Sequence, residues 1–115
     1  MPAPDGPQFR ETMSARDLVS IPSLKHQGKW KDTPYKDLPG SLDFHVEDAK
    51  SEVSLEPHEE AMGYDNLYDW IKDKGVLRPV SVERSGGAMR LMDGHHRVAV
   101  AHHLNPDMQV PVDYE

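Results

Sequence analysis

Apolar residues recur at helical spacing in one stretch past the middle of the chain. This spacing, with a polar residue before it and a glycine after it, predicts an amphipathic helix over residues 64–74. The positions concerned are Leu67, Trp70, Ile71 and Lys74 at i, i+3, i+4 and i+7, Asp65 or Asn66 near the start, and Gly75 as the C-terminal cap. We expect Trp70 and Ile71 to lie in the core.

Two short segments with strand character follow this helix. Val80 and Val82 alternate with a serine, which favours a half-buried strand. The Ser-Gly-Gly sequence at 85–87 supplies a turn signal, and residues 88–92 then form a second apolar run. The pattern predicts a β-hairpin.

A second helix and a last strand complete the predicted domain. Residues 94–104 favour a helix that ends before Pro106, and Val-Pro-Val at 110–112 predicts a short strand. Because proline has no backbone N–H, Pro111 favours an edge of the sheet. The order helix, hairpin, helix, strand predicts a small α+β domain with a mixed sheet over residues 53–115.

The first half of the chain has no clean hydrophobic period. Its beginning is rich in proline and glycine, residues 14–18 favour one short helix, and Pro22 ends any helix there. Aromatic and leucine residues are then scattered between prolines and glycines. We therefore expect residues 1–52 to form an extended arm with little regular structure, which drapes over the domain or contacts a protein partner.

Composition narrows the class of protein. The chain has 115 residues, 37% of them hydrophobic, which suits one domain with a modest core. The absence of cysteine excludes disulfides, thiolate metal ligands and cysteine nucleophiles.

No apolar run approaches the roughly 18 residues of a membrane span, so we expect a soluble, cytoplasmic protein. A net charge of −7 argues against general binding of duplex DNA, which needs clustered Lys and Arg.

The most informative segment is 91–101, in which an apolar run meets a glycine and then a helix that begins with His, His and Arg. A helix N-terminus presents unpaired N–H groups and the positive end of its dipole, and both favour an anion. Gly94 permits a tight turn, and the guanidinium of Arg97 suits phosphate oxygens. These features indicate a phosphate-bearing ligand, and the alternative interpretation is a solvated helix start.

Four of the seven histidines lie in this helix, at His95, His96, His102 and His103. A chelating pair on one helix needs i, i+4 spacing, whereas His96 and His103 are about 10 Å apart at a rise of 1.5 Å per residue. A transition-metal site would need further ligands from elsewhere, such as His58 or Glu59. We therefore expect no such metal.

Acidic residues precede the helix that is predicted over residues 64–74. In the segment Glu-Pro-His-Glu-Glu at 56–60, Glu56 is a candidate ligand for Mg²⁺, and Glu59 or Glu60 is a candidate general base. The alternative is a solvated acidic loop. Asp93, at the strand-to-helix junction, is expected to cap the helix, a position that is compatible with facing a ligand.

Three segments, taken in order, resemble the ParB N-terminal / sulfiredoxin superfamily. Residues 75–82 match its Gly-x-x-x-Pro-apolar-x-Val strand, residues 91–101 match its Gly-x-x-Arg turn and the helix that follows, and residues 110–112 match its final Val-Pro-Val-like strand. The resemblance extends over residues 53–114, roughly half of the chain. It implies a small α+β fold that binds nucleoside triphosphates at the turn.

The turn of ParB proteins reads Gly-Glu-Arg-Arg and contacts the phosphates of CTP. Gly94 and Arg97 match this pattern, whereas His95 and His96 replace its Glu and Arg. The resemblance implies that these four residues contact the nucleotide.

The ParB family also has a Gly-x-x-Gln-Pro box. Gly75 and Pro79 match it, and Arg78 replaces its Gln. The resemblance implies that these residues also belong to the nucleotide site, without the CTP selectivity of ParB.

Two other branches of the superfamily bear on the chemistry. Sulfiredoxins carry Gly-Cys-His-Arg, so His95 at the cysteine position excludes sulfinic acid reduction, while His96 and Arg97 match the phosphate-contacting pair. The form Asp-Gly-His-x-Arg is similar to the free-serine kinases. That similarity implies active-site roles for Asp93 and His95, with an upstream glutamate as the base, which is Glu56, Glu59 or Glu60.

The resemblance thus implies a nucleotide-binding domain in which Mg²⁺ accompanies ATP or CTP, with hydrolysis or phosphoryl transfer as the reaction. The sequence shows no downstream DNA-binding or dimerisation domain, so we expect a stand-alone domain of the kind that bacteriophages encode. Two alternatives stay open. One is a non-catalytic adaptor or inhibitor that binds a host or phage protein through residues 9–53. The other is a ParB-like nuclease, which the acidic charge disfavours.

Overall fold

The computed structural model describes residues 11–25, 28–51 and 55–115. The strands are β1 (Thr12–Ser14), β2 (Val80–Ser85), β3 (Ala88–Asp93) and β4 (Gln109–Tyr114). The helices are α1 (Ala15–Leu18), α2 (Ser41–Ala49), α3 (Pro57–Ala61), α4 (Leu67–Lys74) and α5 (His95–Leu104), and 3₁₀ turns cover Gly28–Trp30 and Tyr35–Asp37. The predicted α+β class with a mixed sheet is confirmed. None of the helices in these residues is long and apolar enough to cross a membrane.

The elements with clear periodicity form in the predicted segments, although α4 begins at Leu67, three residues after the predicted start at Tyr64. The side chain of Asn66 accepts a hydrogen bond from the Asp69 N–H and caps α4, and Gly75 ends this helix with φ of 77°. Trp70 and Ile71 are buried, as expected. The β2–β3 hairpin and α5 also occupy the predicted segments.

The strand order is β1-β4-β2-β3, so β4 lies inside the sheet and pairs antiparallel with β1 and parallel with β2. The prediction that Pro111 favours an edge is therefore wrong. Its missing N–H is tolerated for two reasons. Toward β1, the ladder bond comes from the neighbouring Val112 N–H, which donates to the Glu11 carbonyl at 2.9 Å. Toward β2, pairing begins only at Val112 opposite Val80.

The first half of the chain contributes to the fold more than its pattern indicates. Helix α2 packs against α5, and Leu18, Tyr35 and Ala49 belong to the same core as the β2–β3 hairpin. This corrects the expectation of little regular structure for the described part of residues 1–52. Scattered apolar residues suffice here because short elements each bury one or two side chains. The predicted domain start at Val53 and the Pro- and Gly-rich first residues lie outside the described residues.

The acidic segment 56–60 forms most of a short helix, α3, and is not the solvated loop given as the alternative interpretation of this segment. In a capping box, the Glu56 side chain accepts from the Glu59 backbone N–H while the Glu59 side chain accepts from the Glu56 N–H. Pro57 occupies the first turn, where its missing N–H costs nothing. The box buries Glu59 and leaves Glu60 exposed.

Candidate functional site

A cavity of about 260 Å³ opens at the N-terminal end of α5. The first turn of α5 forms one wall, and parts of the chain from residue 25 to residue 78 form the others. Among its lining residues are the cations Lys25, Arg78 and Arg97, the carboxylates Glu56 and Asp93, and the histidines His45, His95 and His96. Sequence-distant polar groups therefore converge on one helix end.

Gly94 makes the close approach of α5 to the sheet possible. It is the N-cap of α5 with φ of 95°, and a Cβ built on it would lie 2.5 Å from Val80 Cγ1 and 3.2 Å from Val80 Cα. Any side chain would thus be strained in φ and would collide with β2. Because Gly94 is the cap and no side chain caps α5, the predicted capping role of Asp93 is wrong, and Asp93 lines the cavity instead.

Arg97 is fixed by backbone carbonyls. One guanidinium nitrogen, Nη1, donates to the carbonyl oxygens of Pro79 at 2.6 Å and Arg78 at 3.2 Å. Burial, followed by the nearby charge of Arg78, lowers the pKa of Arg97 from its ordinary value. Arg97 therefore ties the first turn of α5 to the segment that precedes β2.

Arg78 is held by two carboxylates from α3 and its cap. Its Nε lies 3.2 Å from Glu59 Oε2, and its Nη1 lies 3.2 Å from Glu56 Oε2. Glu59 is 1% exposed, so its charge is compensated by Arg78 rather than by water. Of the three candidate bases, Glu56 lines the cavity, Glu59 lies behind Arg78 as its ion-pair partner, and Glu60 is exposed without lining the cavity.

Each histidine of the α5 turn is oriented by a residue from the first half of the chain. Nε2 of His96 lies 2.6 Å from Asp48 Oδ2, and Nε2 of the buried His95 lies 2.7 Å from Ser23 Oγ. The rings thus have defined directions, because a hydrogen bond at one nitrogen fixes the orientation of imidazole.

His45 joins these two histidines. Its ring centroid is 4.8 Å from that of His96 and 5.7 Å from that of His95, and its Nδ1 is hydrogen-bonded to the Tyr35 hydroxyl. Burial is the main cause that lowers the pKa of His45 to about 4, and the neighbouring His96 and Lys25 side chains contribute to the shift. His45 is therefore neutral at pH 7, and its ring adds no charge to the cavity.

The predicted nucleotide-site residues fall into two groups. Those that line the cavity are Glu56, Arg78, Asp93, Gly94, His95, His96 and Arg97. Pro79 lies behind this lining, where its carbonyl anchors Arg97. Gly75 caps α4 and does not line the cavity.

Five polar residues at the site are absent from the sequence-based candidates: Ser23, Lys25, Tyr35, His45 and Asp48. Ser23 and Lys25 reach it because the chain runs beside β3, where Leu24 N–H donates to the Leu91 carbonyl at 2.8 Å. The others come from α2 and the 3₁₀ turn before it. No local sequence pattern distinguishes these five residues from other polar residues. Their polar or titratable side chains were the one feature that could have suggested a place in the site.

No group of three or more His, Asp or Glu side chains is arranged to hold a metal ion in residues 11–25, 28–51 and 55–115. His58 is largely exposed, and its Nε2 approaches Glu59 only at 4.0 Å.

The site as a whole combines a helix start with three cationic side chains, groups whose chemistry favours an anion. Three cations face two carboxylates in the cavity lining of a chain whose net charge is −7. Comparison of the chain with protein-family models, with curated proteins and with solved structures found no match in any of the three.

Proposed function

We propose that the chain binds a nucleoside triphosphate through its phosphate groups in the cavity at the start of α5. The observation that carries this proposal is the convergence of Lys25, Arg78 and Arg97 on the first turn of a ten-residue helix. The helix end offers N–H groups and a positive dipole to an anion, and the side chains add full charges. Glu56 and Glu59 already pair with Arg78, so we expect Lys25, Arg97 and the N–H groups of the helix start to supply most of the attraction for phosphate.

The packing of the site supports tight binding. Arg97 is held by the Pro79 and Arg78 carbonyls, so little side-chain entropy is lost when a ligand arrives. The missing side chain of Gly94 lets α5 begin directly against Val80, which places the N–H groups of its first turn at the cavity. The same features underlie the resemblance to the ParB N-terminal / sulfiredoxin superfamily, and kinship with it is part of this proposal.

Mg²⁺ is proposed to enter with the nucleotide rather than to occupy a site built by protein alone. This ion usually keeps several waters and binds one or two carboxylates together with substrate phosphates. Glu56 and Asp93 both line the cavity and are the two carboxylates available for this role. ATP and CTP, each with Mg²⁺, are the ligands to test first.

The proposed reaction is hydrolysis of the nucleotide or transfer of its phosphoryl group. Such transfers depend mostly on positioning and charge stabilisation, which the cations and the helix end supply. His96 is the better placed of the two turn histidines to accept a proton. Its Nε2–H donates to Asp48, so in the neutral ring Nδ1 carries the lone pair, whereas His95 is buried against Ser23.

Isothermal titration calorimetry with ATP, CTP and GTP in the presence of Mg²⁺ tests the proposal. Lys25→Gln is expected to weaken binding about tenfold, because it removes one charge-assisted contact. The matched control is Lys72→Gln on the exposed face of α4, which lies outside the cavity and is expected to leave affinity unchanged. Absence of heat from all three nucleotides, or equal loss in both variants, contradicts the proposal.

A second candidate function is binding of a protein partner through residues 9–53. The observation in its favour is the indole of Trp30, which is 38% exposed. Deleting the whole segment does not test this, because Leu18, Tyr35 and Ala49 are part of the core. The Trp30→Ala variant leaves these core residues in place. If the unaltered chain captures one protein reproducibly in pull-downs and this variant does not, the result supports the adaptor function over the nucleotide function.

A further inference from the structure

A second cavity of about 380 Å³ lies beside the first. Lys25, His45 and His95 line both cavities, so the two share a wall. The second is completed by Pro39, Gly40, Ser41 and Phe44 at the start of α2. Its volume falls within the range of about 300–1,000 Å³ that is typical of sites for small organic ligands.

Phe44 gives this second cavity a distinctive surface. It is a phenylalanine on a helix, yet 63% of its surface is exposed, and it is not part of the core. Burial in the protein therefore does not explain its position. Its ring lies 5.5 Å from that of His45, which in turn lies 5.7 Å from that of His95. A row of flat rings thus leads from the second cavity to the histidines of the first.

Polar groups accompany this aromatic surface. Ser41 lines the cavity, and a serine hydroxyl can both donate and accept a hydrogen bond. Gly40 has φ of 73° and an open space where a Cβ would stand, so a ligand can approach its backbone. The ring of His45, whose pKa is about 4, is neutral at pH 7 and suits a neutral heterocycle better than a second anion.

We propose that the second cavity takes the nucleobase of the ligand whose phosphates lie in the first cavity, with the base stacked on Phe44. This proposal rests on the proposed function, because it extends the same ligand from one cavity into its neighbour. Stacking on an aromatic side chain is tolerant of base identity, since every base has a π-face. Selection among bases then depends on the polar groups of Ser41 and the backbone at Gly40.

The test compares nucleotides with inorganic tripolyphosphate, which carries the charges without a base. Affinities for ATP, CTP, GTP, UTP and tripolyphosphate are measured by calorimetry with Mg²⁺ for the unaltered chain, Phe44→Ala, Phe44→Tyr and Met62→Ala. At least one nucleotide is expected to bind about tenfold or more tightly than tripolyphosphate. Phe44→Ala is expected to remove this preference without weakening tripolyphosphate binding, and Phe44→Tyr is expected to keep it.

Met62→Ala is the matched control, because Met62 is another exposed apolar side chain that lines neither cavity. It is expected to leave all affinities unchanged. Equal affinity of every nucleotide and tripolyphosphate overturns the base site and leaves the phosphate site standing. An unchanged preference in Phe44→Ala, or equal losses for both ligand classes, also overturns it. Absence of binding by nucleotides and tripolyphosphate alike overturns both proposals.

Discussion

The carboxylate of Asp48 lies 2.6 Å from Nε2 of His96, across 48 positions of sequence. Asp48 belongs to α2 and His96 to the first turn of α5, so this contact joins the first half of the chain to the helix start that forms the candidate site. The bond also fixes the imidazole plane of His96. An element without a clear sequence pattern therefore controls the geometry of the most recognisable motif.

Asp48→Ala is expected to destabilise the fold and to weaken nucleotide binding. Loss of a partly buried, charge-assisted hydrogen bond costs about 1–2 kcal/mol in the free energy of unfolding. Urea denaturation measures this change, and calorimetry measures the affinity. Asp43→Ala is the control, because Asp43 lies exposed on the same helix. Equal stability of the two variants would show that the Asp48–His96 contact contributes nothing.

Gly94→Ala is expected to be among the most destabilising single substitutions in the chain. A Cβ at this position meets Val80 Cγ1 at 2.5 Å, and φ of 95° is strained for alanine. Strain and overpacking together cost about 2–4 kcal/mol. Gly86→Ala is the control, since φ there is 58° but nothing lies within 4 Å of the added Cβ. It retains only the backbone strain of about 1 kcal/mol. Denaturation midpoints that fall equally in both variants would rule out the Val80 collision.

Glu59→Gln is expected to lower the free energy of unfolding by about 2–3 kcal/mol. Glu59 is 1% exposed, and the substitution leaves Arg78 facing a neutral amide where it had a buried carboxylate. Glu60→Gln changes the same chemical group at the next, exposed position and is expected to alter stability by less than about 0.5 kcal/mol. Chemical denaturation of the two variants checks the difference, and a neutral effect of Glu59→Gln contradicts the structural role assigned to this ion pair.

The stability of the fold is expected to depend on the protonation of His45. Burial lowers its pKa from 6.5 to about 4 in the folded state. Between these values the unfolded chain binds a proton that the folded chain does not, so the contribution to stability is complete above pH 6.5 and is lost as pH falls toward 4. We expect His45→Gln to flatten the pH dependence of the free energy of unfolding in this interval.

His103→Gln is the control for this measurement, because His103 is exposed at the end of α5. Urea denaturation at a series of pH values is carried out on both variants and on the unaltered chain. A His45→Gln curve that runs parallel to that of the unaltered chain between pH 6.5 and pH 4 shows that His45 titrates normally in the folded state.

The sequence by itself determined the periodic elements and the special turn. Helix α4, the β2–β3 hairpin and α5 follow from hydrophobic spacing with boundary residues such as Asn66 and Gly75, because these signals act over one or two turns of chain. Gly94 and the His-His-Arg sequence after it could be singled out for the same reason. They form a local strand–glycine–helix arrangement whose N-terminal chemistry is independent of the rest of the fold.

Only the tertiary structure determined which residues of these elements are buried and which residues they contact. Glu59 and Glu60 are adjacent and alike in sequence, yet one is buried against Arg78 and the other is exposed. Pro111 is tolerated inside the sheet because the pairing of β4 with β2 begins only at Val112. Likewise, His45 and Asp48 reach the site through the packing of α2 on α5. Such contacts join residues that are far apart in the chain. They depend on how the helices and strands pack, and this packing produces no periodic pattern in the sequence.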